Sequence, residues 1–127
     1  MQYIFRANKG DLTDARSNVV DVLYDRDRGA INCTIMQVYT PPGGGSPEGL
    51  HTHEVDQIFY IIEGQMNIEV DGRKLTADPG SLVVFPAGVP HRNWNVGGAP
   101  TRHLSIAVPM PPSGKPFAIR VTDSNTL

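Results

Sequence analysis

Residues 49–64 read GLHTHEVDQIFYIIEG, a run that begins polar, turns apolar and is bracketed by glycines. In a β-strand, side chains two positions apart share a face. His51 and His53 therefore point the same way, with imidazoles close enough to share one ion. Gln57, Phe59 and Ile61 have the same odd parity, so a strand that runs through without a bulge turns Gln57 to that face too. Taken alone, the H-x-H pair also fits two unrelated polar side chains. A third histidine, His91, opens another expected strand directly after the turn-rich PAGVP (86–90). Three imidazoles in such positions favour one shared metal site over scattered histidines.

The rest of the chain fits an all-β fold. Glycines and prolines punctuate short segments, and the segments have strand character. Strands are expected at 18–24, 31–39, 58–62, 66–70, 81–85, 91–96 and 102–108. MNIEV (66–70) alternates cleanly, and Asp71-Gly72 after it makes a two-residue hairpin turn. No stretch holds a helical period over three turns; KGDLTDARS (9–17) could form a single turn. Many short strands with such turns argue for a sandwich or barrel, and closure into a barrel removes exposed strand edges. The proline-rich tail, 109–127, cannot begin as a central strand, though FAIRV (117–121) could end as one or add to a neighbouring subunit.

The 127 residues suit a single domain, 1–127, with a core of its own. A net charge of -2 and the lack of any basic run speak against a nucleic-acid partner. No apolar run is long enough to span a membrane, and the N-terminus lacks a signal-peptide pattern, so a cytoplasmic protein is expected. Cys33 is the one cysteine, which rules out an internal disulfide. No Ser-His-Asp or Cys-His set is discernible, and GGG (43–45) lacks the lysine and helix of a phosphate loop.

Two stretches carry a family resemblance. Gly45, His51, His53, Gln57 and Gly64 stand at the spacing of the first cupin motif (45–64). Gly80, Pro86, Gly88, His91 and Asn95 stand at that of the second (80–95), and a fifteen-residue spacer, 65–79, separates the two as in small microbial cupins. The sequence resembles a small cupin over 45–95. That resemblance implies a jelly-roll β-barrel and one divalent transition metal ion (Zn, Fe, Mn, Ni or Cu). It implies His51, His53, Gln57 and His91 as the ligands, a small-molecule substrate and a homodimer. Asn95 is read as a structural turn residue.

Most cupins carry glutamate where this chain carries Gln57. Glu54 and Asp56 have the opposite parity and cannot replace it on that face. Gln57 either binds through its amide oxygen or swings away and leaves three histidines. A neutral amide brings no charge and cannot act as a base, so the ion would polarise a bound oxygen more strongly. This tilts the expected chemistry toward Lewis-acid activation of a carbonyl or hydroxyl by an isomerase, lyase or cyclase. The rival readings are a dioxygenase, quercetinase-like or of the three-histidine type, and a non-catalytic ligand-binding cupin. His103 is a candidate catalytic proton shuttle, because imidazole titrates near neutrality. Phe59, Ile61, Met36 and Tyr39 are candidates for the substrate pocket, which should be largely apolar. Trp94 and Arg92, of opposite parity to His91, are expected to face away from the site.

Overall fold

A computed structural model describes residues 2–7, 12 and 15–122. Among the described residues ten strands follow one another. They are β1 (Val19–Tyr24), β2 (Thr34–Thr40), β3 (His51–Thr52), β4 (Asp56–Glu63), β5 (Met66–Val70), β6 (Arg73–Ala77), β7 (Leu82–Phe85), β8 (His91–Trp94), β9 (Thr101–Val108) and β10 (Ile119–Arg120). One 3-10 turn, Arg26–Arg28, lies between β1 and β2, with the Asp25 carboxylate accepting from the Arg28 backbone N–H. The turn expected over 9–17 falls largely outside the described residues.

All pairings are antiparallel, in two five-stranded sheets ordered β1-β2-β9-β4-β7 and β10-β3-β8-β5-β6. Together they make the jelly roll expected from the sequence. Alternation sets the inside. On β9, Thr101, His103, Ser105 and Ala107 are buried, while the residues between them are half-buried. On β4 the inward set is Gln57, Phe59 and Ile61. Phe59, Ile61, Met66, Ile68, Ala77 and Phe85 form a contiguous apolar core between the sheets. Phe59 and Phe85 meet edge to face at 4.9 Å, the arrangement the ring quadrupoles favour.

The expected strand set holds with adjustments. β2 begins at Thr34, and Ile31, expected in it, is 81% exposed. β6 was not expected as a strand: RKLTA exposes four of its five residues, so it shows no apolar alternation. It is the return arm of the hairpin at Asp71-Gly72, pairing Met66 with Ala77 through Val70 with Arg73.

The larger correction concerns residues 51–61. The expected continuous strand breaks after Thr52. β3 belongs to one sheet and β4 to the other, with His53 in the connection. The chain thus crosses between sheets inside the stretch that holds the candidate ligands. Two motif glycines are required where backbones nearly touch. A Cβ on Gly45 would lie 2.5 Å from the Asn93 carbonyl, and one on Gly64, at φ 78°, would lie 2.3 Å from that of Pro100.

Candidate metal centre and cavity

Although the strand breaks, its residues converge. His51 pairs directly with His91 across β3 and β8, while His53 reaches in from the connection. One ring nitrogen from each histidine lies within 4.8 Å of the others, and all three side chains are buried. His91 is held flat against Phe85, with ring centroids 4.2 Å apart and planes at 13°.

The hydrogen bonds decide the tautomers. His51 Nδ1 donates to the Gly49 carbonyl at 2.6 Å, His91 Nδ1 to that of Val89 at 3.0 Å, and His53 Nδ1 to that of Phe117 at 2.8 Å. A carbonyl can only accept, so each Nδ1 carries the proton and each neutral ring offers a bare lone pair at Nε2. Into the same space comes Gln57 Oε1, 2.8 Å from His53 Nε2 and 3.2 Å from His91 Nε2. The amide is held at its other end, where Gln57 Nε2 donates to Ser105 Oγ at 3.0 Å.

This leaves acceptors facing acceptors with no proton between them. Protonating His53 or His91 is disfavoured. Burial lowers the His91 pKa to about 4, and the adjacent His51 and His53 push it the same way against the Val89 hydrogen bond. Burial also lowers that of His53, partly offset by its bond to Phe117. A divalent cation would satisfy the three histidines, since imidazole nitrogens are ligands transition metals accept, an amide oxygen beside them is compatible, and fixed Nδ1–H bonds are the usual support for such rings. The donor chemistry therefore fits the metal that the sequence implies.

Beside the histidines opens a cavity of about 470 Å³. His51, His53 and Gln57 line it, as do Met36, Val38 and Phe59 from the strands. His103 lies in its wall, tilted against Phe59 with ring centroids 4.1 Å apart. Two expected pocket residues lie elsewhere. Ile61 is fully buried in the apolar core. Tyr39, one position past Val38, is on the opposite face of β2, under the Arg102 guanidinium at 5.5 Å. Adjacent strand residues face opposite ways, so Val38 and Tyr39 cannot share the cavity face.

Arg92 and Trp94 face away as expected: Arg92 pairs with Glu69 at 2.8 Å and lies over the Trp94 ring. Asn95 is structural, its amide donating to the Thr40 and Ala99 carbonyls.

Among the cavity residues that the sequence did not mark, three bear on the histidine centre. Ser105 orients Gln57. Glu48 stands in the wall near His53, whose cationic form its charge favours. Phe117 arrives from the tail, where β10 pairs with β3 of its own chain, and stacks on His53 at 3.9 Å. None of the three has a local pattern that marks it; Ser105 and Phe117 gain their places through contacts distant in sequence.

Comparison with protein families matches residues 36–107 to the cupin domain. The chain belongs to the cupin family. Among relatives, this cupin is 30% identical to the polyketide synthase CurC of Streptomyces cyaneus over 80% of its own length and 64% of the relative's. It is 32% identical to an uncharacterised protein of Methanocaldococcus jannaschii over 51% of its length and 53% of the relative's. It thus spans between half and two thirds of these relatives. Among solved structures, the polyketide cyclase RemF from Streptomyces resistomycificus superposes with a TM-score of 0.74 at 24% identity, covering 98% of this chain and 89% of that one. KdgF from Halomonas sp. gives 0.70 at 20% identity, covering 86% and 94%. At these identities the structural likeness concerns the fold. No helix among the described residues is long and apolar enough to cross a membrane.

Proposed function

We propose that this cupin is a metal-dependent enzyme that acts without oxidation on a small, largely apolar, oxygenated molecule, most simply as a cyclase. The observation that carries the reading is the set of four uncharged, proton-free donor atoms at one wall of a mainly apolar cavity. His51, His53 and His91, with Gln57 through Oε1, would hold the ion. When bound there, a divalent ion supplies Lewis acidity toward a carbonyl or hydroxyl oxygen.

The protein's own part is orientation and the placing of charge. Carbonyls of Gly49, Val89 and Phe117 keep the three rings from turning. Gln57 adds no negative charge and takes no proton, so the donor set contains no general base. A base must come from elsewhere in the wall, and the Glu48 carboxylate is suitably placed near His53. Phe59, Met36 and Val38 exclude water from the substrate's flank. The likeness to CurC and to RemF supports a polyketide-type substrate, a chain of alternating carbonyls that closes when one carbonyl is activated and a proton leaves its neighbour.

The test is turnover by protein reconstituted separately with Zn, Fe, Mn, Ni and Cu. Substrates would be a poly-β-ketone and a panel of catechol, diketone and flavonol, with dissolved oxygen followed throughout. The expected result is ring closure of the poly-β-ketone with zinc, at equal rate with and without oxygen. Turnover that consumes oxygen in step with product would replace this reading with a dioxygenase.

A further inference from the structure

His103 is the cavity residue that the metal centre does not use. It is 2% exposed, yet no hydrogen bond reaches its ring from any described residue, and Nδ1 is sealed from solvent without a partner. Leaving a buried ring nitrogen unpaired is costly. A phenylalanine would fill the same slot against Phe59 without that cost, so a polar ring here calls for a partner at the edge by which His103 lines the cavity.

Its position sets the partner's shape. His103 and Ser105 are two apart on β9 and face the same way, so their Cα atoms are about 7 Å apart along the strand. Ser105 holds the Gln57 amide at the histidine centre. On the neighbouring strands apolar side chains of the cavity stand opposite the two polar points, Met36 and Phe59 across from Ser105 and Val38 across from His103. The geometry points to His103 as a second anchor for a rigid, flat, two-ended ligand: an oxygenated head at the histidine centre, an apolar ring body, and a distal hydroxyl or carbonyl on the His103 ring. The ligand class is a hydroxylated fused-ring ketone about two rings long. Burial also holds the His103 pKa at about 4, so at neutral pH the ring is uncharged and its cavity edge offers an N–H or a lone pair according to tautomer.

The inference rests on the proposed function for the head of the ligand, and the experiment separates the two. Zinc-loaded full-length protein is titrated with an ortho-acetyl naphthol, which carries the head alone, and with analogues bearing one further phenol at different positions of the distal ring. At least one analogue should bind tenfold or more tightly than the parent in the wild type. In His103→Phe that advantage should fall below twofold, and His103→Gln, which keeps a polar group, should restore part of it. Long-range proton–nitrogen spectra should show the His103 ring nitrogens shifting with the favoured analogue but not with the parent. The second anchor is refuted if no analogue gains over the parent, or if the gain persists in His103→Phe. Equal binding of the parent to zinc-loaded and metal-free protein would instead overturn the reading of the head, leaving the comparison at His103 intact.

Discussion

Strand β4 crosses two regions built on different physics. At Ile61 it enters the apolar cluster of Met66, Ile68, Ala77 and Phe85, where side chains are held by shape and exclusion of water. Four residues earlier, at Gln57, it enters the histidine centre, where each side chain is held by a directed hydrogen bond. In the cluster no single contact is indispensable, but lost volume is felt. At the centre volume matters less, and direction decides: three carbonyls and one hydroxyl determine which atoms face the ion site. The division suggests that the cluster carries much of the stability while the centre carries specificity.

Substituting one residue in each region should separate them, with the largest effect at the centre. His51→Ala, His53→Ala and His91→Ala should each weaken zinc binding by about a hundredfold or more, since even residues that merely support a ligand are commonly worth 10–100-fold. Ile61→Ala should cost about 2–5 kcal/mol in urea unfolding, as for other buried large-to-small changes. Its zinc affinity, measured well below the unfolding transition, should stay within about twofold of wild type. A loss at Ile61→Ala comparable to that of the histidine variants would mean the two regions are one cooperative unit.

The same contrast explains what could be seen in the sequence. His51, His53 and His91 were legible because strand parity and turn-to-strand context are local properties, and the spacing of both cupin motifs survives in full. The break after Thr52 was hidden because HEV (53–55) contains neither glycine nor proline, so nothing marks the change of sheet. Tyr39 was drawn into the pocket because β2 is apolar at Met36, Val38 and Tyr39 alike, and local alternation cannot then tell inside from outside. Ser105 and Phe117 act through partners 48 and 64 residues away, a distance that sequence periodicity does not reach. His103 was visible as a histidine, but its lack of a partner is a property of the folded wall alone.

A smaller effect, read on stability, concerns pH. His103 titrates near 4 in the folded protein because burial penalises its cation, against about 6.5 when unfolded. Between those values the unfolded chain binds the extra proton and the folded one does not. Its contribution is therefore complete above about pH 6.5 and is lost progressively as the pH falls toward 4. In metal-free protein, urea midpoints should drop across that window. His103→Phe should remove part of the slope, at most about 1.4 kcal/mol per pH unit for one group. His91 titrates in the same range and should leave a residual slope in that variant. An unchanged slope would show that the His103 ring is solvated in solution, which would also weaken its role as a buried anchor.

The smallest effect should come from Ser105, and it asks whether direction at the centre is set by a single hydroxyl. With Ser105 present, Gln57 Nε2 has an acceptor and Oε1 faces the histidines. In Ser105→Ala the amide loses that acceptor, and turning over lets its N–H groups donate to the bare Nε2 atoms of His53 and His91. The turned amide offers an incoming cation no oxygen and occupies two of its nitrogen ligands. Zinc affinity should fall by up to about tenfold, with unfolding in urea nearly unchanged. Gln57→Glu in the Ser105→Ala background is the control, because a carboxylate presents an oxygen whichever way it turns. If the double variant regains zinc affinity, the hydroxyl acts through the orientation of the amide. If it binds as weakly as Ser105→Ala alone, Ser105 contributes by filling space, and the contrast between a region set by direction and a region set by volume does not extend to this residue.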